Sequence, residues 1–119
     1  MTDERMNLAD FRREMETWWR DVADQADSLK DPPFRKERLL MFYKRFDADE
    51  RLLADQVIGE WALSEYEAVR FDALVLIDKV KIVAAVPALK RLLDRLASSG
   101  KPGALFETKL VNRIIAELT

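Results

Sequence analysis

Seven carboxylates, Asp47, Asp49, Glu50, Asp55, Glu60, Glu65 and Glu67, crowd the stretch between positions 47 and 67 of this 119-residue chain. A concentration of acids is the first place to look for general acid/base work or for a hard-cation site. General acid/base chemistry needs two carboxyls held at a defined separation in a cleft that drives their pKa values apart. No pair here is marked out by its spacing, and the run lacks the ligand order of an EF-hand loop. Helix caps and a solvated helix face account for the acids, since Asp47 with Glu50 and Ser64 with Glu67 both have the spacing of a cap and its reciprocal acid. The chain has no Cys and no His, which removes disulfides, thiolate or imidazole metal sites, Cys nucleophiles and every His-dependent arrangement. No catalytic, cofactor-binding or metal-ligating residue is assigned. A small enzyme or ligand carrier using Arg, Lys, Asp and Tyr43 or Tyr66 in a groove between helices stays open as an alternative of a different class.

The opposite charge gathers just upstream. Arg35, Lys36, Arg38, Lys44 and Arg45 give residues 34–46 a net charge of +4 beside a net −6 over 47–67, within a chain of net charge −2. Such a run is a candidate ridge for phosphate oxygens, because duplex affinity comes largely from cations placed along the backbone. The bland reading is a solvated helix face, and the acidic neighbour opposes long-range attraction of a polyanion. Trp18, Trp19 and Trp61 are the large apolar anchors. Adjacent tryptophans on a helix point about 100° apart, so either both lie in a broad core face or Trp18 turns inward while Trp19 anchors a partner or a second copy of the chain. Gly100-Lys101-Pro102-Gly103 is too short for a phosphate loop and reads as a helix stop and turn.

The elements that position these residues are helical. With 49% apolar and 35% charged residues, three Gly and four Pro, the composition suits a folded, helix-rich domain with short connections. Asn7 caps a first helix whose apolar positions, Leu8, Phe11, Met15, Trp18, Trp19, Val22, Ala26 and Leu29, recur at three- and four-residue spacing. Asp31-Pro32-Pro33 ends it and opens a second helix running to about Phe46, with Leu39, Phe42, Tyr43 and Phe46 on one face and Leu40 and Met41 widening it. A third helix, about Asp49 to Leu63, turns Leu53, Val57, Ile58, Trp61 and Ala62 inward. The fourth, about Glu65 to Val80, is apolar nearly all round, as suits the middle of a stack. Val86, Leu89, Leu92, Leu93 and Leu96 define a fifth, and Leu110, Val111, Ile114, Ile115 and Leu118 a sixth whose end is expected to be docked. The Val- and Ile-rich stretch Leu74 to Val86 taken alone could instead be a strand; as helix and turn, it would tuck Ile82 and Val83 under the helix pair.

Sliding the chain against itself by 35 positions lays Phe34, Leu39, Leu40, Met41 and Phe42 on Val69, Leu74, Val75, Leu76 and Ile77, and Val57, Ile58, Trp61 and Ala62 on Leu92, Leu93, Leu96 and Ala97. A period of this size signals stacked helical units, each with two apolar sides and able to bury only one by itself. Val69-Arg70, Ala73, Ile77 and Ala85-Val86-Pro87-Ala88-Leu89 resemble the Val-Arg, Ala, Leu and Ala-Val-Pro-Ala-Leu positions of the bacterial HEAT-like repeat of the phycobilisome-lyase type. The likeness is clear over residues 66–97, weaker over 34–118, and departs at the turn, where Lys79-Lys81-Ile82 replace the usual Gly- or Asp-rich connection. It implies an interaction scaffold and carries no lyase chemistry with it.

The expectation is therefore a single all-α domain over 1–119, a short α-solenoid of about six helices, acting as a non-catalytic protein–protein interaction module without cofactors. Trp19, Arg35, Lys36, Arg38, Lys44 and Arg45 are the candidate partner-binding residues. Another protein is the expected partner, with homodimerisation through the first or last helix open. Nucleic-acid binding through the Arg35–Arg45 helix and neutralisation of a toxin are the alternatives. The charged start of the chain and the lack of a long apolar run point to a cytoplasmic protein with no membrane partner.

Overall fold

The computed structural model describes residues 7–29 and 32–119, with side chains placed over 7–24 and 35–119. These residues form six α-helices and one 3-10 turn, and no strand occurs among them. In chain order the helices are α1 (Leu8–Leu29), α2 (Pro32–Lys44), α3 (Ala48–Ala62), α4 (Glu67–Val80), α5 (Val86–Ala97) and α6 (Ala104–Leu118), with the 3-10 turn Val83–Ala85 leading into α5. The stretch from Leu74 is thus helical to Val80 and not a strand, because Ala73, Leu76, Ile77 and Val80 recur at helical spacing and the first three are fully buried. By proximity the chain divides into two units, one ending at Val57 and the other running Ile58–Thr119, so the division falls inside α3.

In the first unit, Asn7 caps α1 by accepting the Asp10 N–H at 2.8 Å. Asp10 then pairs with Arg13 at 3.0 Å. Phe11, Met15 and Val22 are buried on the inner stripe of α1, while Leu8, Trp18 and Trp19 are half-buried. The side chains of Ala26 and Leu29, and Asp31 as the expected cap of α2, lie outside the described residues. The helix starts at Pro32, where a missing N–H costs nothing. It lies along α1 and buries Leu39 and Tyr43, leaving Phe42 and Phe46 half-buried and Met41 exposed. Asp47 and Glu50 form a reciprocal capping box at the start of α3: Glu50 N–H donates to Asp47 Oδ1 at 2.8 Å, and Asp47 N–H to Glu50 Oε1 at 3.0 Å.

The second unit opens with the last turns of α3, where Ile58, Trp61 and Ala62 are buried. Gly59 lies on the same side, and a Cβ added there would sit 3.8 Å from that of Ala88 on α5, an ordinary contact. The expected Ser64–Glu67 box does not form. Ser64 Oγ instead accepts the N–H of Tyr66 at 3.1 Å, and α4 begins at Glu67 with Tyr66 as a cap that makes no side-chain bond. The turn is held by its carbonyls, since Arg70 donates to Ser64 O at 3.2 Å and the Arg95 guanidinium donates to Leu63 O. Helix α4 ends on Lys81 at φ +59°, where the N–H groups of Lys81 and Ile82 both turn back to Ile77 O. Ile82 is buried beneath this turn, but Val83 is exposed, so only the first of the two tucks under.

Helix α6 packs along α5 and also meets α4. Its inner face carries Val111 and Ile114, but begins with a charge: Glu107, only 4% exposed. Arg70 of α4 meets it in a fork, with Nε donating to Oε2 at 2.5 Å and Nη2 to Oε1 at 2.8 Å. Hydrogen bonding to Glu107 raises the Arg70 pKa against the opposing effect of burial. Further along α6, Arg113 donates to Asp78 at 3.3 Å and to Glu117 at 3.0 Å, and Lys81 donates to Glu117 at 3.0 Å.

Two stability outcomes follow from this packing. Gly59→Ala, inside α3 with room for a methyl, is expected to stabilise by about 0.5–1 kcal/mol in urea unfolding, whereas Gly59→Leu overpacks against Ala88 and loses about 1–3 kcal/mol. Arg70→Met leaves the Glu107 carboxylate buried and unpaired, and is expected to cost about 3 kcal/mol or more. Adding Glu107→Leu to it should recover most of that loss; a double variant no better than the single one would show that the fork contributes more than mutual neutralisation.

Candidate functional site

The turn between α2 and α3 and the neighbouring stretch of α1 enclose a groove of about 800 Å³ in the first unit. Its floor is aromatic and aliphatic. Phe42 and Phe46, one helical turn apart, meet edge to face with ring centroids 4.9 Å apart, and Phe46 meets Phe11 of α1 at 5.0 Å. Met15 continues the floor along α1, and Leu52 and Leu53 supply the α3 wall. Leu52 is 66% exposed, a large apolar side chain left in water at the groove edge.

The rim has the opposite chemistry. Glu14 from α1 and Asp47, Asp49 and Glu50 from the start of α3 line the groove, with Arg45 the one cation among its lining residues. The placement follows from local rules: the first turn of a helix favours acids, because they satisfy exposed N–H groups and face the positive end of the helix dipole. The residues that start α3 therefore also charge the groove. Arg45 lies over the Phe42 ring, its guanidinium carbon 5.9 Å from the centroid.

Behind the floor, Tyr43 donates its hydroxyl hydrogen to Asp55 Oδ1 at 2.7 Å, and the Arg51 guanidinium sits 5.6 Å from the Tyr43 ring centroid. Burial and the adjacent Asp55 carboxylate push the Tyr43 phenol well above its usual range, so it stays protonated and acts as a donor. Burial also raises Asp55, against the lowering effects of the Tyr43 hydroxyl and Arg51. Tyr66, the other tyrosine, is exposed on the turn before α4.

The residues singled out as partner-binding are spread over α1 and α2. Trp19 and Arg35 come together, the guanidinium carbon 5.3 Å from the indole centroid, and both are half-buried. Trp18 stacks on Phe42, with centroids 3.6 Å apart and planes 11° from parallel. Both tryptophans of α1 thus spend their faces against α2, whereas Trp61 is buried in the second unit. Arg38 is half-buried, and Lys36, Lys44 and Arg45 are exposed. At about 100° per residue, Lys36 and Lys44 leave α2 on sides well away from Arg35 and Arg38. Of the basic set, only Arg45 reaches the groove.

The groove itself combines residues that the pattern of the chain assigns to core, Phe11, Met15, Phe42 and Phe46, with acids assigned to a cap or a solvated face, Asp47, Asp49 and Glu50, and with Glu14, which the pattern does not single out. The signal that could have found it is the abrupt change of charge sign at Phe46-Asp47, where an aromatic run meets an acidic helix start. No group of His, Cys, Asp or Glu among the described residues is arranged to hold a metal ion, and no described helix is long and apolar enough to cross a membrane.

Asp55 makes a pH-dependent contribution whose sign is fixed by its raised pKa. Between its unfolded value and the higher folded one, the folded state holds more protons, so stability falls as pH rises through that interval and the cost is fully present above it. Asp55→Asn keeps an acceptor for Tyr43 and removes the charge. In urea unfolding it is expected to match or exceed the unsubstituted protein at pH 7 and to fall behind relative to that result at about pH 4; a larger loss at pH 7 than at pH 4 would reverse the sign. Against family models, curated proteins and solved structures, the chain returns no match.

Proposed function

We propose that this chain is a non-catalytic protein-binding module of the HEAT-like helical-repeat type, and that the groove of its first unit is the surface that receives a partner. The observation that supports this best is the pairing of an apolar floor, Phe11, Phe42 and Phe46, with a carboxylate rim, Glu14, Asp47, Asp49 and Glu50. A groove of this make-up suits an apolar segment bearing positive charge, most simply one face of an amphipathic helix. Its aromatic rings offer large, rigid contact area, and its rim steers an approaching cation and fixes orientation. The HEAT-like type in this reading rests on the sequence resemblance over residues 66–97.

Trp18 does not line the groove but reports on it from beside the floor, since it stacks on Phe42. A synthetic helical peptide with Leu at i, i+3, i+4 and i+7 and Lys elsewhere is expected to shift the tryptophan emission saturably, with affinity falling as salt is added. Leu52→Asp, at an exposed position, and Asp49→Lys are each expected to weaken binding about tenfold, or about 1.4 kcal/mol. Absence of binding up to about millimolar peptide, or binding unmoved by either substitution, would remove the groove from the reading. Binding of duplex DNA instead, lost with salt and on Arg35→Glu with Arg38→Glu, would favour a phosphate-backbone partner.

A further inference from the structure

We infer that the partner segment seated in this groove is the start of α6 from a second copy of the chain, an assignment that rests on the protein-binding reading of the groove. The beginning of α6 is inverted relative to an ordinary amphipathic helix. Glu107 is 4% exposed, whereas its neighbours Leu105 and Phe106 are 69% and 68% exposed. A buried charge beside two large apolar side chains in water is the pattern that calls for explanation. The first half has its explanation in Arg70. Helical rotation supplies the geometry of the second: with Glu107 facing Arg70, Phe106 lies about 100° and Leu105 about 200° away from it, and neither can turn inward without withdrawing the carboxylate from its fork.

The turn that leads into the segment is also open to solvent. Gly100 and Gly103 hold the preceding turn at φ +63° and +88°, and a Cβ built on either meets nothing within 4 Å. Lys101 and Lys109 are exposed on either side of the apolar pair, Lys109 one helical turn from both Leu105 and Phe106. The knuckle therefore carries two large apolar side chains flanked by two cations. The groove carries an aromatic floor flanked by carboxylates, with exposed Leu52 at its edge. Apolar pair against floor and lysines against rim satisfy both halves at once.

Because groove and knuckle are different surfaces, the contact is heterologous. Each copy offers one of each, and association runs head to tail until it closes into a ring or continues as a chain. One knuckle in one groove is a small contact beside the roughly 1,200–2,000 Å² of a stable interface, so the assembly is expected to dissociate on dilution.

Sedimentation velocity on the full chain at low salt, from about ten micromolar to about one millimolar, tests this. The weight-average mass is expected to rise with concentration and to rise less in high salt. Phe106→Ser removes the knuckle and Leu52→Asp spoils the groove, both at exposed positions, and unchanged circular dichroism and thermal midpoints establish that each variant folds. Each alone is expected to self-associate about tenfold more weakly than the unsubstituted chain. Mixed, they retain one good knuckle and one good groove between them, so they should form a one-to-one pair and nothing larger. A monomer at every concentration, self-association that survives both substitutions, or a mixture that forms no pair would each overturn the inference. If the chain stays monomeric while the synthetic peptide still binds in a Leu52-dependent way, the occupant is a different protein and the protein-binding reading stands. If the peptide also fails to bind, both readings fall.

Discussion

A guanidinium and a carboxylate face each other directly, Arg70 on α4 and Glu107 on α6, and their fork holds the first turn of α6 with its carboxylate inward. Neither charge would be tolerated there alone, since the loss of hydration is offset only when both oxygens and both nitrogens find partners. Once the carboxylate is turned inward, Val111 and Ile114 follow it at one-turn spacings onto the face that meets α5 and α4. The same guanidinium also holds the Ser64 carbonyl, so the turn before α4 and the first turn of α6 are anchored on one side chain. At the start of α6 the outward placing of Leu105 and Phe106 therefore accompanies a polar contact, while Val111 and Ile114 turn the rest of the helix inward by hydrophobic patterning.

In the first unit, a different economy operates, in which one group of acids serves two ends. Asp47 and Glu50 satisfy each other's backbone amides and so begin α3 where they do. Their charge, with that of Asp49 and Glu14, then falls on the lip of an aromatic trough whose floor the facing stripes of α1 and α2 have already built. Behind that floor, Tyr43 and Asp55 are joined by a hydrogen bond in a place where burial disfavours ionisation of both. Surface charge and a partly buried, hydrogen-bonded carboxyl are thus arranged within a few residues of each other on α2 and α3.

Much of the helical architecture was readable from spacing alone. The stripe Phe11, Met15 and Val22, the caps at Asn7 and Asp47, the proline start of α2 and the glycine turn before α6 all follow from local rules that act over three or four residues. Where the rules compete they mislead: Ser64 had the spacing of a capping box, but its hydroxyl closes a tighter turn on Tyr66. The groove was not readable, because Phe42 and Phe46 at helical spacing describe a covered stripe and an open floor equally well, and only the placement of α3 decides between them. The Arg70–Glu107 fork spans 37 positions, and no periodicity encodes which buried acid meets which arginine across that distance. Without that pairing, Leu105 and Phe106 would have been read simply as the apolar start of a helix.

Lys81 sits where the chain turns left-handed to leave α4, a backbone state that glycine enters freely and a lysine does not. Its ammonium nevertheless reaches Glu117 in the last turn of α6 and Asp78 one turn back. A glycine there would ease the bend and remove one exposed ion pair to Glu117, leaving Arg113 to bridge Asp78 and Glu117. The position thus joins a left-handed exit from α4 to a surface tie with the last turn of α6.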